Sequence, residues 1–143
     1  MKIVGLETII FGVDDVAACS TFLTDYGLIP VGVTEAGGRF EALDGTAVEL
    51  AHTDDDSLPA SIGNGCMMRK TVMGVADEST IEAIRVELSK DRDVRQLADG
   101  SIESTDDSGF VIGFQVTTRR EVNLPGEISN VPGSPFQRPV NQL

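Results

Sequence analysis

Histidine is almost missing from this chain of 143 residues, His52 being the only one. A divalent-metal centre built on two imidazoles therefore cannot be assembled from a single copy. Cysteine is scarce as well. Cys19 and Cys66 match no zinc spacing, and two thiols make no disulfide framework, so both are expected to be reduced and structural. Cations are few: 11 Lys+Arg against 23 Asp+Glu give a formal charge of −12. Such a mean field repels phosphates, which argues against nucleic acid or an anionic membrane as partner. No apolar run approaches the roughly 18 residues of a membrane-spanning helix. The first ten residues also lack the long apolar stretch and small-residue cleavage site of a secretory signal. The expected location is the cytoplasm.

What is present suffices for a core, since 41% of the residues are hydrophobic. The run from Glu7 to Val13 reads as a buried strand ending at Asp14 and Asp15, either of which can cap a helix. That helix carries Val16, Cys19, Phe22, Leu23 and Tyr26 at spacings of three and four, and Gly27 stops it. Leu28–Val33, Arg39–Leu43 and Thr46–Ala51 then read as strands around the Ala36-Gly37-Gly38 and Asp44-Gly45 turns. After the acidic loop Thr53–Ser57 and the Gly63-Asn64-Gly65 connector, the same order restarts. Met67–Val75 is a strand, Ser79-x-x-Glu82 reads as a capping box, and Ile81, Ile84 and Leu88 share a helix face. Val94–Ala98, Ser101–Thr105 and Phe110–Thr117 complete the second set of strands.

The repetition is visible in the residues. Gly12-Val13-Asp14-Asp15 returns 62 positions later as Gly74-Val75-Ala76-Asp77, and Arg39-Phe40-Glu41 returns at the same offset as Ser101-Ile102-Glu103. Equal offsets and a shared element order point to internal duplication. The expected organisation is α+β, with a first β-α-β-β-β module over residues 1–62 and a second over 63–120. Residues 121–143, which hold four of the six prolines, read as an extended arm or interdomain linker.

Paired modules of this kind, with a strand ending in Val13-Asp14-Asp15, a helix ending in Tyr26-Gly27-Leu28 and a later Asp44-Gly45-Thr46-Ala47-Val48-Glu49-Leu50, resemble the vicinal oxygen chelate superfamily. That group includes glyoxalase I, bleomycin and fosfomycin resistance proteins, and extradiol dioxygenases. The resemblance implies a glyoxalase-like curled sheet whose two modules enclose a cleft, commonly with a divalent metal. It also implies where ligands would stand. The first-strand position falls on Thr8, with Lys70 its counterpart in the second module; the last-strand position falls on Glu49, with Gly113 its counterpart. One ligand of four survives, so neither a metal nor any other cofactor is expected.

His52 does not supply the missing ligand, because three residues separate it from Glu49 and a strand turns the two to opposite faces. The run Asp54-Asp55-Asp56 lacks the alternation and glycine of a calcium loop and reads as solvated. Strand alternation puts Thr8, Ile10, Ala47, Ala51, Val72, Val111 and Gln115 on the cleft face, with Ile9, Phe11, Val48, Leu50, Ile112 and Phe114 toward the helices. Thr8, Glu49, Lys70 and Gln115 are thus the candidate ligand-contacting residues. An ion pair between Glu49 and Lys70 in place of a metal is one expectation, and two independent side chains the other.

Three functions compete. The favoured one is the metal-free N-terminal half of an extradiol-dioxygenase-like protein, with a catalytic domain following. The second is a stand-alone, metal-independent protein of the resistance type that binds a small organic or aromatic ligand, in its own cleft or between the subunits of a homodimer. The third is a metal-dependent lyase or isomerase completed by another chain.

Overall fold

A computed structural model describes residues 2–123, together with the backbone of Gly126–Ile128 and Gln137–Pro139. The first module runs β1 (Ile3–Val13), α1 (Val16–Asp25), β2 (Ile29–Thr34), β3 (Gly37–Glu41) and β4 (Ala47–His52). The second runs β5 (Met67–Val75), α2 (Glu78–Leu88), β6 (Val94–Gln96), β7 (Ile102–Thr105) and β8 (Val111–Val116). All eight strands form one sheet in the order β2-β3-β4-β1-β5-β8-β7-β6. Within each module the first and last strands pair in parallel, and β1 and β5 meet antiparallel at the centre. The result is the α+β pair of β-α-β-β-β modules expected from the repeat. Of the arm expected over 121–143, a two-stranded pairing of β9 (Gly126–Ile128) with β10 (Gln137–Pro139) is seen; most of that segment lies outside the described residues. Among the described residues no helix is long and apolar enough to cross a membrane.

β1 begins four residues earlier than the apolar run suggested. Gly5 and Glu7 interrupt the hydrophobic pattern, yet Ile3 and Gly5 already pair with Val75 and Gly74. The helix caps also differ in detail. Asp15 caps α1, its carboxylate accepting from Ala18 N–H at 2.8 Å. α2 is capped by Asp77, which accepts from Thr80 N–H at 2.8 Å, so the expected box at Ser79 and Glu82 does not form. Ser79 donates to Asp77, and Glu82 pairs with Arg85 one turn on, a contact that a reach back to the cap would forfeit. Losing the cap by Asp77→Ala is expected to lower the denaturation midpoint, and Ser79→Ala to lower it less.

Each helix buries its own core. Val13, Val16, Phe40 and Leu50 lie beneath α1, joined by Phe11, Cys19, Leu23, Leu28 and Val48. Val75, Ile81, Ile84 and Ile102 lie beneath α2 with Leu88, Val94 and Phe114. Phe40 and Ile102, 62 positions apart, are both fully buried. The helix-facing positions Phe11, Val48, Leu50 and Phe114 are where alternation put them, which leaves the opposite face of the sheet for the cleft.

The two modules are locked together at two mirrored bulges. Where β1 runs against β5, the register steps from Leu6 opposite Met73 to Thr8 opposite Val72, so Glu7 is the additional residue; the step from Ile10 opposite Lys70 to Phe11 opposite Met68 makes Arg69 additional on β5. Glu7 and Arg69 are 62 apart, and both are buried. Glu7 lies over Gly74, accepts from the Thr117 hydroxyl at 2.5 Å and pairs with Arg119 at 3.2 Å. Arg69 lies over Gly12 and donates to the Thr53 hydroxyl at 2.9 Å and to the Pro59 carbonyl at 3.0 Å. The same device, with its charge reversed, thus pins the segment leaving β8 and the segment leaving β4. Gly12 and Gly74, which mark the repeat in the sequence, are the positions where a Cβ would stand 2.9 Å from Arg69 Nε or 2.1 Å from Glu7 Oε1.

Candidate functional site

The cleft lies on the face opposite the helices. Its outer part has a volume of about 790 Å³ and runs beneath the segment Asp56–Ala60, between β4 on one wall and β6 and β7 on the other. A deeper part of about 140 Å³ reaches Thr8, Arg39, Asp99, Ser101, Gly113 and Gln115. Ile10, Glu49, Lys70 and Leu97 line both. All four candidate residues, Thr8, Glu49, Lys70 and Gln115, therefore border one deep space, as does Gly113.

The strand registers explain that convergence. Ile10 stands opposite Glu49 in the first module just as Val72 stands opposite Gly113 in the second. Thr8 and Lys70 precede those residues by two and share their face. Between β1 and β5 the module offset is 62, whereas between β4 and β8 it is 64.

Glu49 and Lys70 do not pair with each other among the described residues; each takes a partner from its own module. Arg39 Nη1 donates to Glu49 Oε1 at 2.7 Å and to Thr8 Oγ1 at 3.2 Å, and Arg39 Nε donates to Glu41 at 2.9 Å. Lys70 Nζ donates to Glu103 Oε2 at 2.7 Å, and Arg95 reaches the other oxygen of the same carboxylate. Glu41 and Glu103 are duplicates at the 62-residue offset, and each is a carboxylate shared by two cations: Glu41 by Arg39 of its own module and by Arg120 of the segment that follows β8, and Glu103 by Lys70 and Arg95 of its own module. Sequence reading passed over Arg39, Arg95, Glu103 and the Glu7–Arg69 device. A signal was available for the carboxylate and for the bulges, since Glu41 and Glu103, and Glu7 and Arg69, are charged residues recurring at the module offset; Arg39 and Arg95 answer to Ser101 and Val33 and carried none.

In the second module Lys70 and Gly113 are fitted to each other. Gly113 has no side chain, and the stem of Lys70 occupies the room it leaves: a Cβ on Gly113 would stand 3.0 Å from Lys70 Cε. Lys70 and a carboxylate or imidazole at 113 would compete for one volume. Among the described residues no group of three or more His, Cys, Asp or Glu side chains is gathered for a metal ion. His52 stands at the end of β4, half exposed, its Nδ1 accepting from Asp54 N–H at 3.3 Å.

Burial pushes the Glu103 carboxyl up, but the hydrogen bonds from Lys70 and Arg95 outweigh it and hold the group below the usual carboxylate range. Hydrogen bonds from Arg39 and Arg120 lower Glu41 likewise. A lowered carboxylate supplies stability above its unfolded pKa and loses it as the pH falls through the folded value. The thermal midpoint is therefore expected to fall below about pH 4.3, the ordinary glutamate value, and Lys70→Met is expected to flatten that fall by raising Glu103 toward normal. Midpoints recorded across this acid range check it, and equal slopes in both proteins would count against the pairing.

The two cysteines are free and lie near the first helix. Cys19 is partly buried against the first core, and burial, then the proximity of Cys66 and Asp15, pushes its thiol up, which disfavours the nucleophilic thiolate. Cys66 is exposed and accepts from Asp14 N–H at 3.2 Å.

Solved structures share this architecture. Over 84% of this chain and 38% of its own, the homoprotocatechuate 2,3-dioxygenase of Arthrobacter globiformis superposes with a TM-score of 0.66 at 17% identity. The Mn(II)-bound glyoxalase of Novosphingobium aromaticivorans matches 79% of this chain and 38% of its own, with a TM-score of 0.61 and 18% identity. The methylmalonyl-CoA epimerase of Mycobacterium tuberculosis matches 78% of this chain and 87% of its own, with a TM-score of 0.55 and 16% identity. No family model and no curated protein matches the sequence. The chain thus has the vicinal oxygen chelate fold, and it spans 38% of the length of the glyoxalase and of the Arthrobacter dioxygenase.

Proposed function

We propose that this chain is a metal-free pair of modules that accompanies a metal-bearing pair in an extradiol-dioxygenase-like or glyoxalase-like protein, so that chemistry takes place on other modules. The observation that carries this reading is the Lys70 stem lying in the room left by Gly113, with Thr8 and an Arg39-bound Glu49 at the other two ligand positions. A cationic ammonium at the centre of the cleft opposes a divalent ion, and threonine and glycine supply neither imidazole nor carboxylate. The short share of the dioxygenase and glyoxalase chains that is matched supports the same reading.

The test has two parts. Purified chain incubated with Mn(II) or Fe(II) and desalted is expected to retain less than about 0.1 metal per chain. Retention near one per chain overturns the metal-free reading and favours a site completed by another chain. The reading frame beyond Leu143 is expected to continue into a further strand-helix module bearing histidines at the first-strand position. A stop at that point overturns the half-protein reading.

A second reading is a stand-alone, metal-independent binding protein. It draws support from the open cleft and from the likeness to the epimerase, a chain of comparable length. A homodimer belongs to this reading and is checked by sedimentation.

A further inference from the structure

Glu49, Ile10 and Lys70 stand in one rung across three neighbouring strands, since Ile10 is opposite Glu49 on β4 and opposite Lys70 on β5. At about 4.8 Å per strand, the two outer Cα atoms are about 10 Å apart. An apolar side chain thus separates an acid from a base, and each charge is drawn to its own module, Glu49 toward Arg39 and Lys70 toward Glu103. Each also keeps unused hydrogen-bonding capacity. Glu49 Oε1 accepts from Arg39, while Oε2 accepts from no described residue; Lys70 carries three N–H donors and one bond, to Glu103. Both groups line the outer and the deeper part of the cleft, and Ile10, between them, lines both parts as well.

We propose that this cleft binds a small zwitterion, an amino acid with one ammonium and one carboxylate on a short apolar stem. The ammonium is held by Glu49 Oε2, the carboxylate by Lys70 Nζ, and the stem lies over Ile10. Opposite charges on the two walls select both ends of the ligand together. A monovalent amine leaves the remaining N–H donors of Lys70 without an acceptor, and a monovalent carboxylate leaves Glu49 Oε2 without a donor, so either alone desolvates one wall without a partner for it. The inference rests on the cleft being free of metal, because an ion at Glu49 would occupy the ammonium position.

Isothermal titration of the full chain with glycine, 4-aminobutanoate and 6-aminohexanoate, against butylamine and butyrate, tests it. At least one zwitterion is expected to bind saturably, with both single-charge controls about tenfold weaker or worse. E49Q, which keeps shape, and K70M are each expected to weaken that binding about tenfold, with circular dichroism showing both folded. No binding by any of the three zwitterions overturns the proposal, as do controls that bind equally well or folded variants that bind like the parent. Metal retention is a separate readout. A chain that retains Mn(II) overturns the metal-free reading, whereas a metal-free chain indifferent to all three zwitterions overturns this inference alone.

Discussion

The triple variant T8H/K70H/G113E is expected to retain about one Mn(II) per chain after desalting, where the parent chain is expected to retain less than about 0.1. Thr8, Glu49, Lys70 and Gly113 all border the same 140 Å³ space, so three substitutions provide two imidazoles and a second carboxylate beside Glu49. Glu49 can contribute Oε2 while Oε1 stays with Arg39. Order matters. G113E alone pushes a Cβ to 3.0 Å from the Lys70 stem and is expected to cost about 2 kcal/mol, whereas K70H removes that stem first. Glu103 keeps Arg95 as a partner throughout. Bound metal is measured directly by elemental analysis, and a rise in thermal midpoint on adding Mn(II) reports binding to the folded state. A folded triple variant that retains no metal would show that the four positions do not present their side chains to one point.

The second large effect belongs to the mirrored bulges, and it differs between them. Glu7 is 1% exposed, and its carboxylate gathers the Thr117 hydroxyl, the Thr118 N–H and Arg119. Removing it by Glu7→Ala strands those donors and is expected to destabilise the chain by about 3 kcal/mol in denaturant unfolding. Gly74→Ala drives a Cβ to 2.1 Å from Glu7 Oε1 and is expected to do comparable damage. Arg69 is also buried but has no carboxylate partner among the described residues, and its buried Nε makes no hydrogen bond. A buried charge without a countercharge contributes little net stability, so Arg69→Met is expected to shift unfolding by less than about 1 kcal/mol. Comparable losses at both bulges would show that the two staples carry equal weight despite their opposite charge.

The fold was legible because it is written twice. Gly12-Val13 and Gly74-Val75, Phe40 and Ile102, Glu41 and Glu103 recur at one offset, and a hydrophobic pattern that repeats in the same order of elements leaves few ways to bury two helix faces on one sheet. That a glycine stands at 113 and a lysine at 70 was equally legible, being a matter of residue type. Helix caps were less so. Asp77 and Ser79 can both begin a helix on paper, and the backbone at Asp77, extended with φ −161° and ψ 169°, decides which one does.

The pairing of charges could not be read in advance. Glu49 and Lys70 share a face and oppose in sign, yet Ile10 keeps them a full strand apart, and Arg39 and Glu103 stand nearer. Coulombic preference is settled by distances of a few ångström, and those depend on which strands lie side by side. Nor could the sequence show that Glu7 and Arg69 are bulge residues, because a bulge exists only where two strands fail to keep step. By residue type and periodicity, then, the chain determined its two modules and their cores. The tertiary structure alone decided that Lys70 fills the room left by Gly113, that Glu49 and Lys70 each take a partner from their own module, and that an acid and a base face one cleft without touching. Periodicity is a property of one strand, whereas registry and separation are properties of strands brought together.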